Sequence, residues 1–81
     1  MKVLFFGSLA EQLGRELEID PAGARWTVGE LRQLLCSRDS AFANALGNER
    51  VRACVDQVIV SDDAPVRPGQ ELAFIPPLSG G

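Results

Sequence analysis

Histidine is absent from the 81 residues, and the two cysteines, Cys36 and Cys54, form no Cys-x-x-Cys pair. Metal sites of the usual Cys/His kind are thereby set aside, as is chemistry that depends on an imidazole base. A phosphate-cradling GxxxxGK[ST] segment is also missing, so the chain is not expected to activate a nucleotide by itself. Charge of one sign is not concentrated anywhere: 8 basic and 11 acidic residues give a net −3 with no basic patch. Nucleic acid and anionic membrane surfaces are therefore poor partners. Apolar runs reach only about five residues, against the roughly 20 needed to cross a bilayer. The apolar start, Met1 to Phe6, is cut by Gly7-Ser8 and Glu11 before a signal-peptide core can form, and it makes a better strand. A cytoplasmic protein is expected, in which Cys36 and Cys54 act as small apolar residues. Cys36 falls late in a helix, where the helix dipole disfavours a thiolate.

What remains is enough for one small core, because 46% of the residues are apolar and the length suits a single domain. Met1 to Phe6, apolar on both faces, reads as a central strand. Ser8 to Leu13 is expected to form a short helix with Ser8 as N-cap, Glu11 completing a capping box and Gly14 stopping it. Arg15 to Asp20 alternates, with Leu17 and Ile19 on one face, and pairs back on the first strand. Pro21 to Ala24 is a loop. Thr27-Val28-Gly29-Glu30 is a second capping box, opening a helix whose stripe is Val28, Leu31, Leu34 and Leu35.

A further helical turn, capped by Asp39 or Ser40, runs to Leu46 and ends at Gly47-Asn48, with Phe42 and Leu46 on one side. Val51 to Val55 and Val58 to Val60 are strands joined by a tight turn at Asp56-Gln57. Turn signals at Asp62 to Pro65 and at Pro68-Gly69 lead to a last strand, Glu71 to Ile75. This order implies an α+β fold with a mixed sheet of about five strands, packed by one main helix and short helical turns. The first and last strands are expected side by side and parallel at its centre.

After Ile75 the chain reads Pro76-Pro77-Leu78-Ser79-Gly80-Gly81. Two prolines impose an extended path and remove backbone donors, so residues 76–81 are expected to leave the 1–75 body as an extended flexible tail. Six extended residues reach about 20 Å. Gly80 and Gly81 have no side chains and let the terminal carboxylate enter a narrow channel. A free carboxylate is ionised and unreactive at neutral pH, so another protein must activate it.

Several segments together carry a resemblance: Lys2-Val3-Leu4-Phe5-Phe6-Gly7, the Thr27-Val28 helix entry, Val55-Asp56-Gln57, Pro68-Gly69-Gln70-Glu71-Leu72-Ala73-Phe74, and the Pro-Pro-x-Ser-Gly-Gly ending. The set resembles the small subunits of molybdopterin synthase, a family of ubiquitin-like sulfur carriers, over the whole chain. Ile75 departs from the family where an aromatic is usual, and Cys36 and Cys54 occupy positions often held by small residues. The resemblance implies a ubiquitin-like β-grasp fold. It implies further that Gly81 is adenylated by a ubiquitin-activating-type enzyme using ATP, converted to a thiocarboxylate with sulfur from an upstream donor protein, and inserted into the large synthase subunit. There the sulfur builds the dithiolene of molybdopterin. Two small and two large subunits would form the assembly, with catalytic residues on the large one and no permanently bound cofactor on the small one.

Alternation along the strands suggests a docking face. With Val3, Phe5, Val58, Val60, Leu72 and Phe74 turned towards the helix, Leu4, Phe6, Ile59 and Ile75 point away. Phe6, Ile59 and Ile75, next to the root of the tail, are the expected partner contacts, while Pro76, Pro77, Leu78, Ser79 and Gly80 provide insertion and clearance for Gly81. Two other readings share the Gly-Gly end: a sulfur carrier for thiamin, cysteine or another thio-product, and a ubiquitin-like protein modifier. Lys2, the one lysine, restricts lysine-linked chains to a single site.

Overall fold

The computed structural model describes residues 1–23 and 25–77. Strand β1 (Lys2–Phe5) lies between β2 (Glu16–Glu18), antiparallel, and the last strand β7 (Leu72–Ile75), parallel. On the other side of β7 come β4 (Arg52–Val55) and β5 (Val58–Val60), so the five-stranded order is β2-β1-β7-β4-β5. The first and last strands thus meet at the centre as a parallel pair, as their apolar composition and the intervening helix suggested. The crossover between them carries α1 (Gly7–Leu13), α2 (Val28–Arg38) and α3 (Ser40–Leu46).

The alternation of the strands decides what is buried. Val3, Phe5, Ala53, Leu72 and Phe74 turn to the helices and are almost completely buried with Val28, Leu31 and Leu35 of α2, Leu46 of α3 and Leu9 of α1. The Phe5 ring lies 6.1 Å from that of Phe74, nearly parallel to it, and 6.0 Å from that of Phe42. Leu34, at the margin of the α2 stripe, is only half-buried. Cys54 is buried and Cys36 half-buried, both free, and the Cys36 thiol faces the Phe42 carbonyl at 3.8 Å.

Local signals set several ends. At α2 the Thr27 hydroxyl accepts from the Glu30 amide at 3.1 Å and the Glu30 carboxylate accepts from the Thr27 amide at 2.9 Å, closing the expected capping box. Asp39 caps α3 through the Ala41 amide at 2.7 Å. Asp56 and Gln57 both take positive φ, 49° and 71°, which joins β4 to β5 in the manner of a type I′ turn.

Three features depart from the sequence reading. The Ser8–Glu11 capping box does not form: Phe6 occupies the N-cap of α1 without any side-chain cap, and its carbonyl accepts from the amides of Leu9 and Ala10 at 3.1 and 3.4 Å. The reason is that β1 ends one residue earlier than expected and Gly7, at φ +55°, turns the chain at once into the helix, placing Ser8 inside it. Val58 stands opposite Val55, on the core face by register, yet is 62% exposed. β5 is an edge strand, and Val58 is its first residue, next to the Asp56-Gln57 turn, at the margin of the sheet. Last, Trp26–Thr27 (β3) and Pro65–Val66 (β6), read as loop and helix entry, pair as a second, two-stranded antiparallel sheet.

Arg32 ties these layers together. Its guanidinium donates to the carbonyls of Leu46 (3.0 Å) and Val51 (2.9 Å) and to the Asp62 carboxylate (3.0 Å), and lies 5.3 Å from the centre of the Phe74 ring. It satisfies the last carbonyl of α3, that of Leu46, which has no intrahelical partner. The free amides at the start of α2 are met in turn by the segment after β5, Val28 by the Ala64 carbonyl and Gly29 by that of Asp62, both at 2.9 Å.

Candidate functional site

Because β7 is the middle strand, Pro76 and Pro77 emerge between β1 and β4 rather than at a sheet edge. The exit is shaped by Gly7: a Cβ placed there would lie 2.9 Å from Cγ of Pro76, closer than nonbonded carbons approach, so the tail root rests against the glycine backbone. The Phe6 amide donates to the Phe74 carbonyl at 3.2 Å and carries the parallel pairing to the same point.

The face of the sheet away from the helices is read from the register. One row runs Ile59, Cys54, Ala73, Leu4, and the next places Arg52 beside Ile75 with Phe6 beyond it. Phe6 is 48% and Ile59 62% exposed, while Ile75 is half-buried and flanked by the half-buried Pro76 and Pro77. The expected outward set is therefore outward, and it forms one apolar surface ending at the tail root. An open groove of about 540 Å³ beside it is lined by Glu49, Arg50, Arg52, Ile59, Ile75, Pro76 and Pro77.

Leu78, Ser79, Gly80 and Gly81, the remaining residues singled out in the tail, lie outside the described residues. Sequence reasoning missed the two arginines at the groove and the Gly7–Pro76 contact. Arg52 was legible as an outward position of its strand, but its nearness to Ile59 and Ile75 depends on register. Among the described residues no group of three or more Cys, Asp and Glu side chains could hold a metal ion, and no helix is long and apolar enough to cross a membrane. The surface offers apolar contact and two cations beside an extended segment, an arrangement for binding another protein.

A mixed sheet with a central parallel pair, a main helix across one face and a C-terminal segment leaving the middle strand defines the β-grasp class of ubiquitin-like proteins. Within that class the profile of the ThiS family matches residues 3–81, and the chain belongs to this family of ubiquitin-like sulfur carriers. The molybdopterin synthase sulfur carrier subunit of Escherichia coli is 38% identical over 81 residues, covering 100% of this chain and 99% of that protein. Among solved structures, SAMP1 from Haloferax volcanii superposes with a TM-score of 0.77 at 26% identity, covering 99% of this chain and 97% of its own. A chain of the complex of subunits 1 and 2 of the molybdopterin-converting factor from Helicobacter pylori gives a TM-score of 0.68 at 21% identity, over 99% and 96% of the two chains, a likeness of fold.

Proposed function

We propose that this chain is a cytoplasmic carrier of sulfur for molybdenum cofactor synthesis, acting as the small subunit of a molybdopterin synthase and not as a catalyst itself. The observation that carries the reading is the delivery of Pro76-Pro77 by the central strand beside an exposed apolar surface. A domain built this way binds through its sheet while its tail reaches into the partner. The full-length likeness to the Escherichia coli sulfur carrier subunit supports the choice of cargo and product. The Helicobacter pylori structure, a complex of subunits 1 and 2, gives precedent for the fold docked on a second subunit.

In this reading residues 1–75 form the docking body and residues 76–81 the working tail. A ubiquitin-activating-type enzyme binds ATP, and the Gly81 carboxylate attacks its α-phosphorus to give an acyl-adenylate with loss of pyrophosphate. Sulfide-level sulfur from the upstream donor protein then displaces AMP from the acyl carbon, leaving a thiocarboxylate. Phe6, Ile59 and Ile75 hold the body against the large subunit, and Pro76 and Pro77 direct Leu78, Ser79 and Gly80 into its channel. The thiocarboxylate sulfur bonds to a carbon of the pterin precursor with loss of an oxygen substituent there, and water then cleaves the acyl–sulfur bond, leaving the sulfur on the precursor and returning the carboxylate.

Mass spectrometry of the full chain, co-expressed with its adenylating enzyme and sulfur donor, tests the proposal. One terminal oxygen replaced by sulfur is expected, and deletion of Gly81 should eliminate both that change and molybdopterin formation by the reconstituted synthase. Retained activity without Gly81 would refute the reading. The likeness to SAMP1, whose Haloferax volcanii structure is also described as that of a small archaeal modifier protein, favours a second reading as a protein modifier. Isopeptide-linked adducts in place of the thiocarboxylate would establish it.

A further inference from the structure

Arg52 is a charge set within an apolar surface. Its side chain leaves β4 on the face away from the core, directly beside Ile75 and diagonal to Ile59, whose partner on β4 is Cys54. Such neighbours stand about 4.5–5.5 Å apart when opposed and about 7–8 Å on the diagonal, within reach of a long side chain. Beyond Ile75 the row continues to Phe6. Arg50, just before β4, lines the groove at its margin.

Among the described residues neither arginine has an ion-pair partner. The ion pairs among the described residues join the Met1 ammonium to Glu18 and Arg32 to Asp62. Glu49 lines the groove, so Arg50, Arg52 and Glu49 together leave one unit of positive charge there, two minus one. Arg52 is exposed, and water solvates its guanidinium in the free protein.

That solvation is lost on docking. A partner that covers Phe6, Ile59 and Ile75 also covers Arg52, which lies among them, and a guanidinium buried without an acceptor is strongly unfavourable. A carboxylate offsets the loss best, since two parallel N–H···O bonds match the planar guanidinium. We infer that the large synthase subunit presents an Asp or Glu side chain to Arg52 within an otherwise apolar contact, making Arg52 the residue that selects the partner. The inference rests on the docking proposed above. Arg50 lies outside the apolar rows, where a charge keeps its water and affects the rate of encounter more than the stability of the complex.

Calorimetric titration of the full chain with the large subunit encoded in the same genome tests this, with circular dichroism and melting used to establish that each variant folds. Arg52→Leu keeps apolar bulk and removes the charge, and it should weaken binding about 30-fold or more. Arg52→Gln, which keeps polar donors without charge, should also weaken it, and Arg52→Lys should fall between Arg52→Leu and wild type. A wholly apolar partner surface predicts the reverse, equal or tighter binding by Arg52→Leu. That result would overturn the inference and leave the sulfur-carrier reading standing, provided Ile59→Glu still abolishes binding. Failure of the wild-type chain to bind the large subunit would overturn both.

Discussion

Replacing Gly7 by Ala tests how the tail root is held, because two costs meet at that position and can be separated. The backbone there has φ +55°, and an L-residue in the left-handed region costs roughly 1–2 kcal/mol. The new methyl would also lie 2.9 Å from Cγ of Pro76, and overpacking of this kind typically costs about 1–3 kcal/mol. Together these predict a loss of about 2–5 kcal/mol. Since 1 kcal/mol lowers the melting temperature of a domain this size by about 4–8 °C, Gly7→Ala should melt at least about 8 °C below wild type.

Pro76→Ala removes the ring atoms that the methyl would strike and leaves the Gly7 backbone angle in place. In that background Gly7→Ala should cost only the strain, about 1–2 kcal/mol. Urea unfolding of the four proteins gives the coupling directly, expected at about 1 kcal/mol or more. Equal costs of Gly7→Ala in both backgrounds would show that the contact does not fix the tail root, and the account of its exit direction would fail.

Three further outcomes are expected. Arg32→Ala strips partners from the Leu46 and Val51 carbonyls and from Asp62, and should destabilise the domain by about 3 kcal/mol or more in denaturant unfolding, since a hydrogen bond to a charged group contributes about 1.5–3 kcal/mol net of the water it replaces. Thr27→Ala opens the α2 capping box and should cost about 1 kcal/mol in the same assay; no loss would mean that the contacts of Val28 and Gly29 with the 62–64 segment suffice to hold the helix start. Ile59→Glu, at a side chain 62% exposed, should leave the melting temperature within about 2 °C of wild type and abolish binding to the large subunit; unchanged binding would remove Ile59 from the interface.

Much of the candidate site was legible before any coordinates. Phe6, Ile59 and Ile75 follow from period-two alternation once Val3, Phe5 and Phe74 are assigned to the core, and the exposure of Phe6 and Ile59 agrees, while Ile75 is half-buried. The same rule failed for Val58, because alternation reports which side of the sheet a residue is on and not whether it sits at the margin. It placed Arg52 on the outward face but was silent about its place beside Ile75, which comes from the pairing of β4 with β7, a strand well removed in the chain.

The exit of the tail shows the same division. Two consecutive prolines act through their own rings, fixing φ and deleting amide donors, so an extended departure after Ile75 is written in the local sequence. Thr27 with Glu30, Asp39 with Ala41, and the Asp56-Gln57 turn likewise close within four residues, where spacing alone brings the groups together. Only the tertiary structure decides what lies across a gap of dozens of residues. The parallel registration of β1 with β7 brings Gly7 against Pro76, and the reach of Arg32 across α3 and the start of β4 joins layers that no short-range pattern encodes. Such contacts depend on how helices and sheet settle against a shared core, so the identity of a residue names what it can do, and the packing selects which partner it meets.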